Sequence, residues 1–324
     1  MKNSFLSRRH GAVTAVAAAV ALTLAMTGCS DGGSADGSDK KTVGATLLSL
    51  QYPFLVKLNE AAKAEAEAQG LELISLDPRQ QTSTEMQQVE DLITKQVDLV
   101  VMIPVDQKIS QAAARRVNEA KIPLLLVNTS FEDFAGEYVS YVGSDDTKAG
   151  EIQGQYLVDQ LPQGGNVIYL VGQYGGAGTE RRKAGFESVI KGNANIKVVT
   201  ELEAHGSRAE AKTIMEDLLR KYPSGQVQAV IAQSDEMAIG AASAIAEANR
   251  QNDFKIVMGV DGSADGLKSV GDGLMTATVF QDAVGQGKTA MEIAKKILDG
   301  ESVPKTVDLP FKLVTKENLS EFTG

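Results

Sequence analysis

The chain has 324 residues, 43% of them hydrophobic and 23% charged, and a formal net charge of −10. That length supports a large core or two linked domains. The acidic balance excludes nucleic acid, whose phosphates demand clustered Lys and Arg, and electrostatic docking on an anionic leaflet.

Lys2, Arg8 and Arg9 precede an apolar run over 12–26 and then Met26-Thr27-Gly28-Cys29. This is the layout of an export signal, and the run is shorter than the ~20 residues a bilayer requires. A cysteine directly after small residues resembles a bacterial lipobox. That resemblance implies cleavage after residue 28, a lipid on Cys29, and a mature chain from which the loss of Lys2, Arg8 and Arg9 takes the formal charge from −10 to −13. Cys29 is the only cysteine, so acylation leaves no thiol for disulfides, thiolate catalysis or metal binding. Gly, Ser and Asp then dominate as far as residue 40, and 29–40 reads as a flexible tether.

From Lys41 the chain alternates. Apolar runs of strand length cover 43–48, 71–76, 99–103, 124–127, 167–171, 198–202, 227–232, 256–260 and 275–280. Amphipathic stretches of helical period cover 54–69, 85–96, 109–120, 148–160, 208–222, 237–249 and 287–298. Strands apolar on both faces signal parallel sheets covered by helices, hence an α/β doubly wound body. So many units exceed one ordinary open sheet and predict two lobes.

Ligands of open parallel sheets gather beyond the carboxyl ends of the strands. The residues there are Ser49, Gln51, Tyr52 and Phe54 after the first strand, then Asn128 and Thr129. Next come a Gly-rich loop over 172–178 leading to Arg181 and Arg182, then His205, then Gln233, Ser234 and Asp235, then Asp261, then Gln281 and Asp282. A fixed guanidinium fork, carboxylate acceptors and two-way amides and hydroxyls suit a neutral polyhydroxylated ligand. Tyr52, Phe54 and His205 offer flat faces for its C–H patches. Bland roles compete at single positions. Ser234 and Asp235 suit a helix N-cap, Gln233 could serve the turn, and adjacent Arg181 and Arg182 cannot both face one crevice.

Tyr52-Pro53-Phe54-Leu55, Ile103-Pro104-Val105-Asp106, Arg182-Lys183-Ala184-Gly185-Phe186, Ala232-Gln233-Ser234-Asp235-Glu236-Met237-Ala238, Gly259-Val260-Asp261-Gly262 and Thr278-Val279-Phe280-Gln281 occur in that order. Together they resemble the ribose-binding type of periplasmic binding protein, the type I solute-binding fold shared with lac-repressor-like effector domains. The resemblance implies two Rossmann-like lobes joined by three crossing strands. It places 41–144 with 282–309 in one lobe and 145–281 with 310–324 in the other. Hinges are expected near Ser144-Asp145, Gln281-Asp282 and Leu309-Pro310. It implies a sugar clamp at Arg182, a hydroxyl-accepting Asp261, a contributing Gln281 and an aromatic floor at Phe54. Ribose binders carry asparagine where Tyr52 stands, Asp-Arg where Asn128-Thr129 stand, phenylalanine where His205 stands and asparagine where Ser234 stands. The expected ligand is therefore another monosaccharide, a furanose or a polyol, delivered to an ABC transporter permease by a lipid-anchored, extracytoplasmic monomer that needs no cofactor.

Other classes lack their signatures. A Rossmann enzyme needs G-x-G-x-x-G after the first strand, where Ser49-Leu50-Gln51-Tyr52-Pro53-Phe54 has no glycine. Gly287-Lys288-Thr289 lacks the first glycine of a phosphate loop, since Asp282 holds that place. A repressor of the same fold needs an N-terminal helix-turn-helix. A lipoprotein that presents its ligand to a membrane receptor, or one that binds a nucleoside or furanone-like signal, is the alternative that sequence leaves open.

Overall fold

The computed structural model describes residues 40–131 and 133–323. The export signal, Cys29 and the tether as far as Asp39 lie outside them. The chain runs through β1 (Thr42–Thr46), α1 (Pro53–Ala68), β2 (Glu72–Leu76), α2 (Thr82–Thr94), β3 (Leu99–Met102), α3 (Ser110–Glu119), β4 (Leu124–Asn128) and β5 (Ser140–Gly143). It continues through α4 (Asp146–Gln160), β6 (Gly165–Val171), α5 (Ala177–Ile190), β7 (Ile196–Glu203), α6 (Arg208–Lys221), β8 (Ala229–Ala232) and α7 (Asp235–Glu247). Then come β9 (Ile256–Asp261), α8 (Ala264–Gly271), β10 (Ala277–Phe280), α9 (Ala283–Leu298), β11 (Thr306–Asp308) and β12 (Lys312–Thr315).

The strands form two sheets. The first has the order β11-β5-β4-β3-β1-β2 and is parallel throughout. The second has the order β12-β10-β9-β8-β6-β7 and is parallel except that β12 runs against β10. Alternation along each strand feeds both faces. In β3, Leu99 and Val101 join the core under α1 and α9, while Val100 and Met102 join the core under α2 and α3. The second sheet is sandwiched in the same way between two cores. The result is the predicted pair of α/β lobes, with the chain passing between sheets after β5, after β10 and after β11.

Besides the 14-residue α5, the periodicity missed β5, β11, β12 and α8. These are short, and the strands are polar: β5 is Ser-Tyr-Val-Gly, and β11 and β12 are edge strands with exposed Thr306, Asp308 and Lys312. A Ser- and Gly-bearing strand of four residues gives no apolar run to read.

Two local features position the site. The α4 and α5 helices pack backbone to backbone. A Cβ at Gly150 would stand 1.9 Å from the Arg182 carbonyl, and one at Gly185 would stand 2.0 Å from the Thr147 carbonyl. This approach sets the start of α4 against the first turns of α5. At the crossings, a chain of hydrogen bonds links four segments. Asn128 Nδ2 donates to Gln286 Oε1 at 3.1 Å, Gln286 Nε2 donates to Ser144 Oγ at 3.0 Å, and Ser144 Oγ donates to the Leu309 carbonyl.

Candidate functional site

Between the lobes lies a cavity of about 140 Å³. That is below the ~300–1,000 Å³ of drug-sized sites and suits one small ring or a short open chain. Tyr52, Phe54, Asn128 and Thr129 line it from the first lobe, and Arg182, Ser234, Asp261 and Gln281 from the second. Sequence reasoning missed Gln80, Asp146, Met237 and Thr179, which also line it, while Gly172, Gln173 and residues 176–178 come from the expected Gly-rich loop.

Arg182 is the centre of the polar wall. Its Nε donates to Asp146 Oδ1 at 2.8 Å, Nη1 to the Gln233 carbonyl at 2.6 Å, and Nη2 to Gln281 Oε1 at 3.4 Å. Its guanidinium carbon lies 5.9 Å from the centre of the Phe311 ring. Burial works against this charge, but Asp146 and Asp261 outweigh it and hold the Arg182 pKa above its ordinary value. Nine of every ten parts of Asp146 and more are hidden, so the Arg182–Asp146 pair is a partnered buried ion pair.

Asp261 is different. Its nearest cation is Arg182 Nη1 at 4.0 Å, and nothing among the described residues donates a hydrogen bond to its carboxylate. Burial pushes this carboxyl well above the usual range, Arg182 pulls it back, and Asp235, Asp146 and Glu236 push it further up. Its φ of +121° is costly for a residue with a Cβ. Such strain at the end of β9 is retained where the surroundings over-determine it. Gln281 is equally unfinished: the residue is 2% exposed, its Oε1 faces Arg182, and its Nε2 has no partner among the described residues. Leaving a buried donor unmade costs on the order of 1–3 kcal/mol.

Around these groups stands a fully satisfied frame. Gln233 Oε1 accepts from the Gly172 N–H, and its Nε2 donates to the Tyr169 hydroxyl and the Thr179 carbonyl, so its side chain serves the turn. Ser234 caps α7, with Oγ accepting from the Met237 N–H at 3.4 Å. Asp235 is wholly buried and accepts from the Ser263 N–H at 2.7 Å, from Ser263 Oγ at 2.9 Å and from Thr278 Oγ1 at 2.5 Å. Burial raises its pKa to about 6 against the pull of those donors.

On the first-lobe wall, Asn128, Thr129 and Tyr52 spend polar atoms on protein, while Gln80 also lines the cavity. The Asn128 amide is engaged with Gln286, and its Oδ1 accepts from Thr129 Oγ1 at 3.4 Å. Asn128 also has a left-handed φ of +63°. The Tyr52 hydroxyl donates to the His205 carbonyl at 3.2 Å. Burial, helped by Asp261 and Glu210, pushes the Tyr52 pKa to about 12, so the hydroxyl stays a donor. Phe54 is buried between the cavity and the core under α1.

Two expected contacts lie elsewhere. Gln51 sits exposed in the turn after β1, its N–H donating to Ser49 Oγ at 3.2 Å, and does not line the cavity. The His205 ring is 49% exposed and sits between Glu210, 2.8 Å from Nδ1, and Glu203, 3.4 Å from Nε2. Left-handed backbone at His205 (φ +49°) and Gly206 (φ +65°) presents main chain rather than imidazole to Tyr52. The cavity meets Gly206 instead. Asp146 escaped the strand-end survey because β5, the strand before it, carried no readable signal.

Comparison with known proteins bears on the whole body. Residues 43–302 match the family described as periplasmic binding protein domain. The ribose import binding protein of Bacillus subtilis is 35% identical over 285 residues, covering 88% of this chain and 90% of that protein. The xylitol-binding protein of Mycolicibacterium smegmatis is 31% identical over 309 residues, covering 95% of this chain and 86% of that protein. Among solved structures, an ABC transporter solute binding protein from Bacillus halodurans with bound myo-inositol superposes with a TM-score of 0.82 at 31% identity, covering 87% of this chain and 97% of that one. One from Mycobacterium smegmatis with bound glycerol gives 0.81 at 36% identity, covering 88% and 97%.

Proposed function

We propose a function from one premise: the chain belongs to the periplasmic binding protein domain family that it matches over residues 43–302. It is a solute-binding protein and not an enzyme. It captures one uncharged, hydroxyl-rich solute, a monosaccharide or a polyol, and delivers it to an ABC transporter. Ribose, xylitol, myo-inositol and glycerol, named for its relatives, share neighbouring hydroxyls and no charge.

The observation that carries this reading is the unfinished pair in the cavity: among the described residues, an Asp261 carboxylate without a hydrogen-bond donor and a Gln281 amide without an acceptor. Hydroxyls fill both needs at once, because each donates and accepts. An anion would meet Asp261 and Asp146, and a cation would meet Arg182. In this reading Arg182, Asp261 and Gln281 clamp the hydroxyls, and Asp146 holds Arg182. Tyr52 and Phe54 pack on the C–H face, while Asn128, Thr129 and Ser234 shape the wall. The lobes comprise 41–144 with 282–309 and 145–281 with 310–324, and they close on the solute because it bridges both inner faces.

Native mass spectrometry of the freshly purified chain should show a retained small neutral molecule. A thermal-shift panel of ribose, xylitol, myo-inositol and fructose should then give at least one stabilising ligand. No shift with any of the four, together with unchanged small-angle scattering, would defeat the reading. Outside the described residues, Cys29 is the proposed lipid anchor, and the mature protein is a monomer that meets a permease. Cys29→Ser should move the protein from the membrane fraction to the soluble one, and an unchanged distribution would remove the anchor.

A further inference from the structure

The two lobes also touch outside the cavity. Arg181, next to Arg182 on α5, donates from Nη1 to Ser130 Oγ at 3.0 Å and from Nη2 to the Ser130 carbonyl at 3.3 Å. Ser130 follows β4 in the first lobe, and its carbonyl also accepts from Gln107 Nε2 at 3.0 Å. The Gln107 backbone N–H crosses back to the Gly175 carbonyl at 3.3 Å. Two residues of each lobe, Ser130 and Gln107 against Arg181 and Gly175, thus form a cluster across the rim. None of the four lines the cavity. The approach is close at Gly175, where φ is +83° and a Cβ would stand 3.0 Å from Asp106 Oδ2.

We infer that this rim cluster is a closure latch, with Arg181 the positioning residue that sets ligand affinity without touching ligand. The inference rests on the solute-binding reading above. Contacts made only when the lobes meet stabilise the closed state alone, and apparent affinity scales with the fraction of molecules that can close. A planar guanidinium addresses the Ser130 hydroxyl and carbonyl together, which the point charge of lysine does not reproduce. The latch is therefore indifferent to which sugar lies inside.

The test measures dissociation constants and dissociation rates of ribose, xylitol, myo-inositol and fructose for the wild-type chain, Arg181→Ala, Arg181→Lys and Ser130→Ala. Arg181→Ala should weaken every sugar that binds by the same factor, about three- to tenfold, mostly through faster dissociation. Arg181→Lys should recover little, and the Arg181→Ala/Ser130→Ala double variant should lose less than the product of the two single losses. An unchanged affinity, or a factor that differs from sugar to sugar, overturns the latch. Should the wild-type chain bind none of the four, the solute reading fails separately. Hydrogen exchange of the Gln107 amide in the ligand-free protein then decides the latch: faster exchange in Arg181→Ala supports it, and equal protection overturns it.

Discussion

On the second-lobe side, the cavity meets a guanidinium, two carboxylates and an amide with an unmade bond. On the first-lobe side it meets two aromatic rings and an asparagine already committed to Gln286. Both walls grow from the same kind of strand end, yet the second-lobe wall holds the unmade bonds of Asp261 and Gln281, whereas Asn128, Thr129 and Tyr52 of the first are engaged with protein. Under the proposed function, that difference gives most of the recognition to the second lobe and much of the shape to the first.

The strongest way to break that division is to remove the charged groups. Arg182→Ala strands Asp146 and Asp261, and Asp261→Ala removes the open acceptor. Breaking a buried charge-assisted network by one partner costs roughly 1.5–3 kcal/mol or more, so each variant should lose at least about tenfold in affinity by calorimetry. Near-wild-type binding in both would dissolve the contrast between the walls.

Next in size is Gly150→Ala. Its methyl meets the Arg182 carbonyl, and overpacking of this kind costs about 1–3 kcal/mol. Thermal unfolding should show that loss, and affinity should fall with it because α5 carries Arg182. A variant as stable as wild type would mean that the α4–α5 contact does not position the clamp.

The titrating carboxyls differ between lobes as well. In the first, Glu85 accepts from the Val105 N–H at 3.1 Å and from the Ser110 hydroxyl. Burial raises it to about 7 against those donors, with Asp106 adding a smaller push upward. In the second, Asp235 stands at about 6. Both exceed the ~4 of an unfolded carboxyl, so the folded chain holds extra protons in between. Their contribution to stability is full below about pH 4 and is lost as pH rises through 6 and 7. The ligand-free melting midpoint should be higher at pH 5 than at pH 8, and Glu85→Gln should narrow the gap. A wild-type midpoint that climbs over that interval contradicts the assignment.

The smallest effect belongs to His205→Ala. With the ring outside the cavity among acidic side chains, affinity should stay within about twofold, as for an exposed ion pair. A tenfold loss would return the imidazole to the ligand wall.

Much of this was legible because β3, β4, β8 and β9 are continuous apolar runs whose ends announce the lip. The strand-end rule and the family resemblance named Arg182, Asp261 and Gln281, and these three line one cavity. A strand end names the lip but not the side chain's direction, and at His205 a left-handed backbone decided it. Asp146 stayed hidden behind a strand too short and polar to detect. The engagement of Asn128 with Gln286, 158 residues away, has no local signature at all.

That engagement constrains how the protein can change. The amide at the tip of β4 is one end of a relay that runs through Gln286 and Ser144 to the carbonyl of Leu309. Under the proposed function, redecorating the wall at Asn128 for a new cargo would therefore also loosen or stiffen the crossings about which the lobes close. Selectivity and mechanical compliance would then be inherited as one trait, and a lineage that altered the first would have to retune the second.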